Sequence, residues 1–99
     1  MKSAATTPDL AVVSKILKAH LPVGYAAILF GSRATDRARP ASDWDIGIIG
    51  PAPLRGAVIQ GIHEALEELP TLHTFEIVDL LTVPESFREN ALSRGIKLT

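Results

Sequence analysis

Phe30-Gly31-Ser32-Arg33 and, after a polar stretch, Ser42-Asp43-Trp44-Asp45 decide how this chain is read. The apolar run Tyr25-Ala26-Ala27-Ile28-Leu29-Phe30 stops at Gly31, and residues 34–41 are Ala, Thr, Asp, Arg and Pro. An alternating segment follows, Asp43-Trp44-Asp45-Ile46-Gly47-Ile48-Ile49. The pattern predicts a strand, a tight turn opening a short helix near Ser32–Asp36, a loop, and a second strand. Successive side chains of an extended chain point to opposite faces, so Asp43 and Asp45 share one and Trp44 takes the other as core. Two carboxylates side by side repel unless a cation or a proton lies between them, and hard cations such as magnesium favour oxygen ligands. Gly31 lets backbone approach a ligand closely, and the Ser32 hydroxyl with the amides after it forms a landing place for an anion. A phosphate grip facing a metal grip points to nucleotide chemistry.

Working outward, Thr7-Pro8-Asp9 reads as a helix start after a frayed tail at residues 1–7: a hydroxyl cap, a proline in the first turn, and an acid at the positive helix end. Leu10, Val13, Ile16 and Leu17 give the apolar stripe of that helix, which Pro22 and Gly24 end. Tyr25–Phe30 is apolar on both faces, which places it centrally in a sheet. Gly50-Pro51-Ala52-Pro53 is a breaker. Leu54, Val58, Ile62, Leu66 and Leu69 mark an amphipathic helix stopped by Pro70, with Glu64, Glu67 and Glu68 on its solvated face. Thr74–Thr82 reads as a third strand. Pro84 opens a last helix with Phe87, Ala91 and Leu92, Gly95 is expected as a left-handed helix stop, and Ile96-Lys97-Leu98 as a short closing strand. The fold class is therefore α/β, a small mixed sheet flanked by helices, in one domain spanning residues 1–99.

The chain has 99 residues, 46% of them hydrophobic, no cysteine and a formal net charge of -1. That suffices for one modest core. It excludes a disulfide scaffold and any thiolate site. No apolar run is long enough for a membrane span, and the N-terminus lacks the apolar block of a signal peptide, so a cytoplasmic location is expected. Without a basic surface, strong sequence-independent nucleic-acid binding is not expected. Arg33, Arg37 and Arg39 cluster locally; three arginines suit a triphosphate, although Arg37 and Arg39 read more readily as solvated loop charges than as specific ligands. His20, His63 and His73 share no metal-ligand spacing and read as surface or interface residues.

Gly31-Ser32-Arg33-Ala34 through Ser42-Asp43-Trp44-Asp45-Ile46, with Arg39 and Pro40 between, resembles the signature of the minimal nucleotidyltransferases, small members of the DNA polymerase β superfamily. The resemblance implies a polymerase beta-like catalytic core using ATP and two magnesium ions. It implies nucleotide binding by Gly31, Ser32 and Arg33, with Arg33 alternatively pairing Asp43 or Asp45, and metal ligation by Asp43 and Asp45. The family carries a third carboxylate on the next long strand, here Phe75-Glu76-Ile77-Val78-Asp79-Leu80. Matching the downstream Phe87-Arg88-Glu89 puts Glu76 in the ligand position and Asp79 in that of the second acid. These two are three apart and face opposite sides of a regular strand. Glu76 is therefore preferred, and its extra methylene adds roughly 1.5 Å of reach over the usual Asp. The resemblance further implies a small helical HEPN-domain partner, against which such a protein acts as antitoxin by transferring a nucleoside monophosphate to a tyrosine hydroxyl and releasing pyrophosphate. The alternative is a weakly active or inactive binding module that neutralises or scaffolds its partner.

Overall fold

A computed structural model describes residues 9–30, 44–70 and 74–99. The elements run α1 (Leu10–His20), β1 (Ala26–Phe30), β2 (Trp44–Ile49), α2 (Gly56–Glu67), β3 (Phe75–Asp79), α3 (Glu85–Arg94) and β4 (Ile96–Lys97). The four strands form one mixed sheet in the order β3-β2-β1-β4. β1 lies antiparallel to both β2 and β4, and β2 runs parallel to β3. The doubly apolar β1 is thus an inner strand, as its pattern requires.

Strand alternation divides the side chains between two cores. Ala27, Leu29, Trp44, Ile46, Ile48 and Phe75 meet Val13 and Leu17 of α1 and Ile62 and Leu66 of α2. On the opposite face Ile28, Leu80 and Ala91 of α3 form a smaller cluster, edged by Phe30, Ile49 and Val78. Among the described residues the sheet therefore carries two helices on one side and one on the other. Trp44 is fully buried on the two-helix side, and its ring meets that of Phe75 at 5.7 Å, edge to face.

Several expected boundaries move, each for a local reason. Asp9 caps α1, its carboxylate accepting from the Ala11 amide at 2.9 Å. The cap expected at Thr7, with Pro8, falls outside the described residues. Leu10, expected in the apolar stripe, is 43% exposed, because the buried face begins at Val13. Leu54 lies before α2 because its amide donates to Asp79 Oδ2 at 2.8 Å, which ties it to the end of β3. The last turn of α2 closes with the Leu69 amide donating to Leu66 O at 3.1 Å, ahead of Pro70. β3 ends at Asp79 and not at Thr82. Asp79 builds the turn itself: its carbonyl accepts from the Thr82 amide and hydroxyl, and its Oδ1 from the Leu81 amide.

Gly95 is not a left-handed stop. Its φ of -76 and ψ of 162 are extended backbone open to any residue. It is glycine for lack of room, since a Cβ there would lie 2.6 Å from Ala91 O and 3.0 Å from Leu29 O. The closing strand that follows pairs Ile96 with Leu29 and Lys97 with Ile28. Beyond it the Leu98 amide donates to Ala27 O at 2.9 Å, the Ala27 amide donates to Thr99 Oγ1 at 2.9 Å, and the Ser14 hydroxyl donates to Leu98 O.

Candidate functional site

Strand pairing brings two of the expected acids together. Phe30 of β1, Asp45 of β2 and Glu76 of β3 are successive register partners, so they form one row across the sheet. Neighbouring strands lie about 4.8 Å apart, and residues in register point to the same face. Asp45 and Glu76 are therefore side by side on the face that carries α3. Asp45 is half-buried and Glu76 exposed.

The row has a rigid floor. One residue back, Trp44 is in register with Phe75, and their edge-to-face contact on the buried side locks the two strands where the acids sit. Such aromatic pairs contribute about 0.5–1.5 kcal/mol beyond their burial. At the other end of the row the Phe30 ring meets Phe87 of α3 at 5.6 Å with planes 88° apart. Arg88 Nη1 donates to Leu80 O at 3.4 Å, tying α3 to the turn after β3.

Asp79 is engaged elsewhere. It is in register with Ile48, whose side chain belongs to the two-helix core, and its carboxylate accepts the amides of Leu54 and Leu81. Glu76 and Asp79 do lie on opposite faces. With one backbone amide on each oxygen, this carboxylate clamps the turn on the face away from the row.

Asp43, Gly31, Ser32 and Arg33, the remaining expected site residues, fall outside the described residues, as do Arg37, Arg39, His73 and the short helix expected at Ser32–Asp36. Phe30 and Trp44 bracket that stretch: the backbone leaves the row at Phe30 and returns one residue before Asp45. Among the described residues no group of three or more His, Cys, Asp or Glu is gathered to hold a metal ion. The donors in the row are carboxylate oxygens, the type magnesium selects. His20 and His63 are on the surface, and His63 Nε2 lies 3.2 Å from Glu67 Oε1. Among the described residues no helix is long and apolar enough to cross a membrane.

A groove of about 300 Å³ beside the row was not expected from the sequence. Gly56, Ile59, Gln60 and His63 of α2 line it together with Phe75, Glu76 and Ile77 of β3. No local pattern announces it, because it exists only where β3 forms the sheet's edge next to α2.

Residues 11–99 match the family described as Polymerase beta, Nucleotidyltransferase. The probable protein adenylyltransferase MntA of Haemophilus influenzae (strain ATCC 51907 / DSM 11121 / KW20 / Rd) is 35% identical over 81 residues, which cover 82% of this chain and 70% of that protein. A crystal structure of a toxin-antitoxin with AMP-PNP superimposes with a TM-score of 0.72 at 21% identity, over 93% of this chain and 73% of the other. A tri-AMPylated Shewanella oneidensis HEPN toxin in complex with its MNT antitoxin gives a TM-score of 0.61 at 19% identity, over 92% and 72%. At such identities the two solved structures establish a shared fold.

Proposed function

The chain belongs to the polymerase beta nucleotidyltransferase family, and on that premise we propose that it transfers the nucleoside monophosphate of ATP to a hydroxyl, preferentially a tyrosine of a HEPN-type toxin, and releases pyrophosphate. The observation that carries this reading is the row: Glu76 stands beside Asp45 on the adjacent strand, while Asp79 is held by two amides on the other face. Similarity to an adenylyltransferase favours ATP as the nucleotide, and likeness to the antitoxin bound to a tri-AMPylated HEPN toxin favours the HEPN acceptor.

In this reading Asp43, Asp45 and Glu76 would hold magnesium. Bound ions would neutralise the triphosphate and make the acceptor hydroxyl more acidic. Gly31, Ser32 and Arg33 receive the phosphates through backbone amides, a hydroxyl and a guanidinium. The acceptor oxygen forms its bond to the α-phosphorus as the bond from that phosphorus to the bridging oxygen breaks. Pyrophosphate departs with that bond's electrons, and the hydroxyl proton passes to Glu76, whose exposure leaves it open to the acceptor. Little covalent help is needed, because phosphoryl-type transfer depends on position and charge.

The test incubates the chain with a purified HEPN-domain protein, magnesium and each nucleoside triphosphate in turn, and reads the acceptor by intact mass. An adenylyl increment with ATP that chelation by EDTA abolishes is the expected result. No increment with any nucleotide would favour the binding-module reading. That reading draws on Glu76 standing where the family usually has Asp.

A further inference from the structure

β3 is the sheet's outermost strand on the site side, and its hydrogen-bond phase is fixed at both ends. The Trp44 amide donates to Thr74 O at 2.7 Å and the Leu80 amide to Ile48 O at 2.9 Å. In a parallel ladder with Trp44 opposite Phe75 and Ile46 opposite Ile77, the backbone groups of Glu76 and Val78 then point at β2. Those of Phe75 and Ile77 point outward, along an edge that no strand among the described residues pairs with. Natural edges are blunted by charged side chains, proline or a bulge. Phe75-Glu76-Ile77-Val78-Asp79 has no proline and its register runs unbroken; of its two acids, Asp79 is taken up by the Leu54 and Leu81 amides and Glu76 stands in the row beside Asp45.

We propose that this edge is the docking site of the acceptor polypeptide, which adds to β3 through an extended segment outside the partner's helices. The proposal rests on the transfer reading above and names how that site takes its protein substrate. Unpaired amides and carbonyls at strand spacing are complemented by another extended backbone, and pockets beside the edge then select alternate side chains. Here the two faces of an added strand meet different surroundings. On one face its side chains enter the groove lined by Ile59, Gln60 and His63 of α2. On the other, the residue in register with Glu76 joins the row of Asp45 and Glu76. An acceptor tyrosine at that register would present its hydroxyl to the carboxylates while its neighbours are read by the groove. A second copy of this chain is the competing occupant, but its own β3, Phe75–Asp79, carries no hydroxyl side chain to place in the row.

Two measurements decide it. Amide hydrogen exchange is followed on the intact chain with AMP-PNP, with and without a purified HEPN-domain acceptor, and protection should appear at Phe75 and Ile77 only when the acceptor is bound. Ile77→Pro removes a donor that faces outward, a position where an edge strand tolerates proline. It should raise the KM for the acceptor about tenfold, the loss of one hydrogen bond, with the KM for ATP held. Gln60→Trp fills the groove without touching the backbone and should give the same split. Unchanged exchange with acceptor bound, or undiminished acceptor use by both variants, overturns the proposal. So does protection that grows with protein concentration in the absence of acceptor, which would assign the edge to a second copy. If the acceptor protects the edge but wild type transfers nothing to it, the transfer reading fails and the docking site stands.

Discussion

Glu76 and Asp79 are both acids on one five-residue strand, and their surroundings give them separate work. Glu76→Gln should lower turnover by about 10²–10⁴-fold with far less change in nucleotide affinity, because proton acceptance and charge balance matter most in the transition state. Glu76→Asp, with the shorter side chain, should keep or raise activity, and a single-turnover assay separates the two outcomes. Asp45→Asn should abolish magnesium-dependent transfer, and full activity at limiting magnesium would remove Asp45 from the site. Asp79 belongs to stability. Asp79→Ala leaves the Leu54 and Leu81 amides without their acceptor and should cost about 1–3 kcal/mol in denaturant melts. A dead but fully stable Asp79 variant would contradict this division.

At the scale of elements, what was legible in the sequence is what alternation and helical period encode. β1 was readable as central because no residue of Ala26–Phe30 is polar, and Trp44 as core because it alternates with acids. The opposition of Glu76 and Asp79 followed from the same parity. Sheet order was not legible, and with it went β3's position at the edge, the α2 groove and the Asp45–Glu76 register, all of which depend on pairing between distant segments. The reason for Gly95 was hidden too. A glycine after a helix suggests a left-handed turn, but here two carbonyls crowd the position. Gly95→Ala should therefore cost about 1–3 kcal/mol through displaced backbone, and Gly95→Asn should not be the milder change that a left-handed stop would predict. Trp44→Ala should cost about 3–5 kcal/mol, as for a large buried aromatic, read from the shift in thermal midpoint.

For the molecule as a whole, α1 and α2 cover one face of the sheet while α3 leaves the end of the other to the carboxylate row. The far edge is closed by β4, with Leu98 and Thr99 clasping Ala27 from 71 and 72 residues further along the chain. Residues that far apart meet late in synthesis. At about 5–20 residues per second, β1 waits several seconds after emerging before its partner β4 exists. Through that interval Ala26-Ala27-Ile28-Leu29-Phe30, uncharged and wholly apolar, has one bare edge, a template on which another chain can pair. The nascent chain should therefore be most dependent on chaperones in the window that ends when Ile96 and Lys97 arrive.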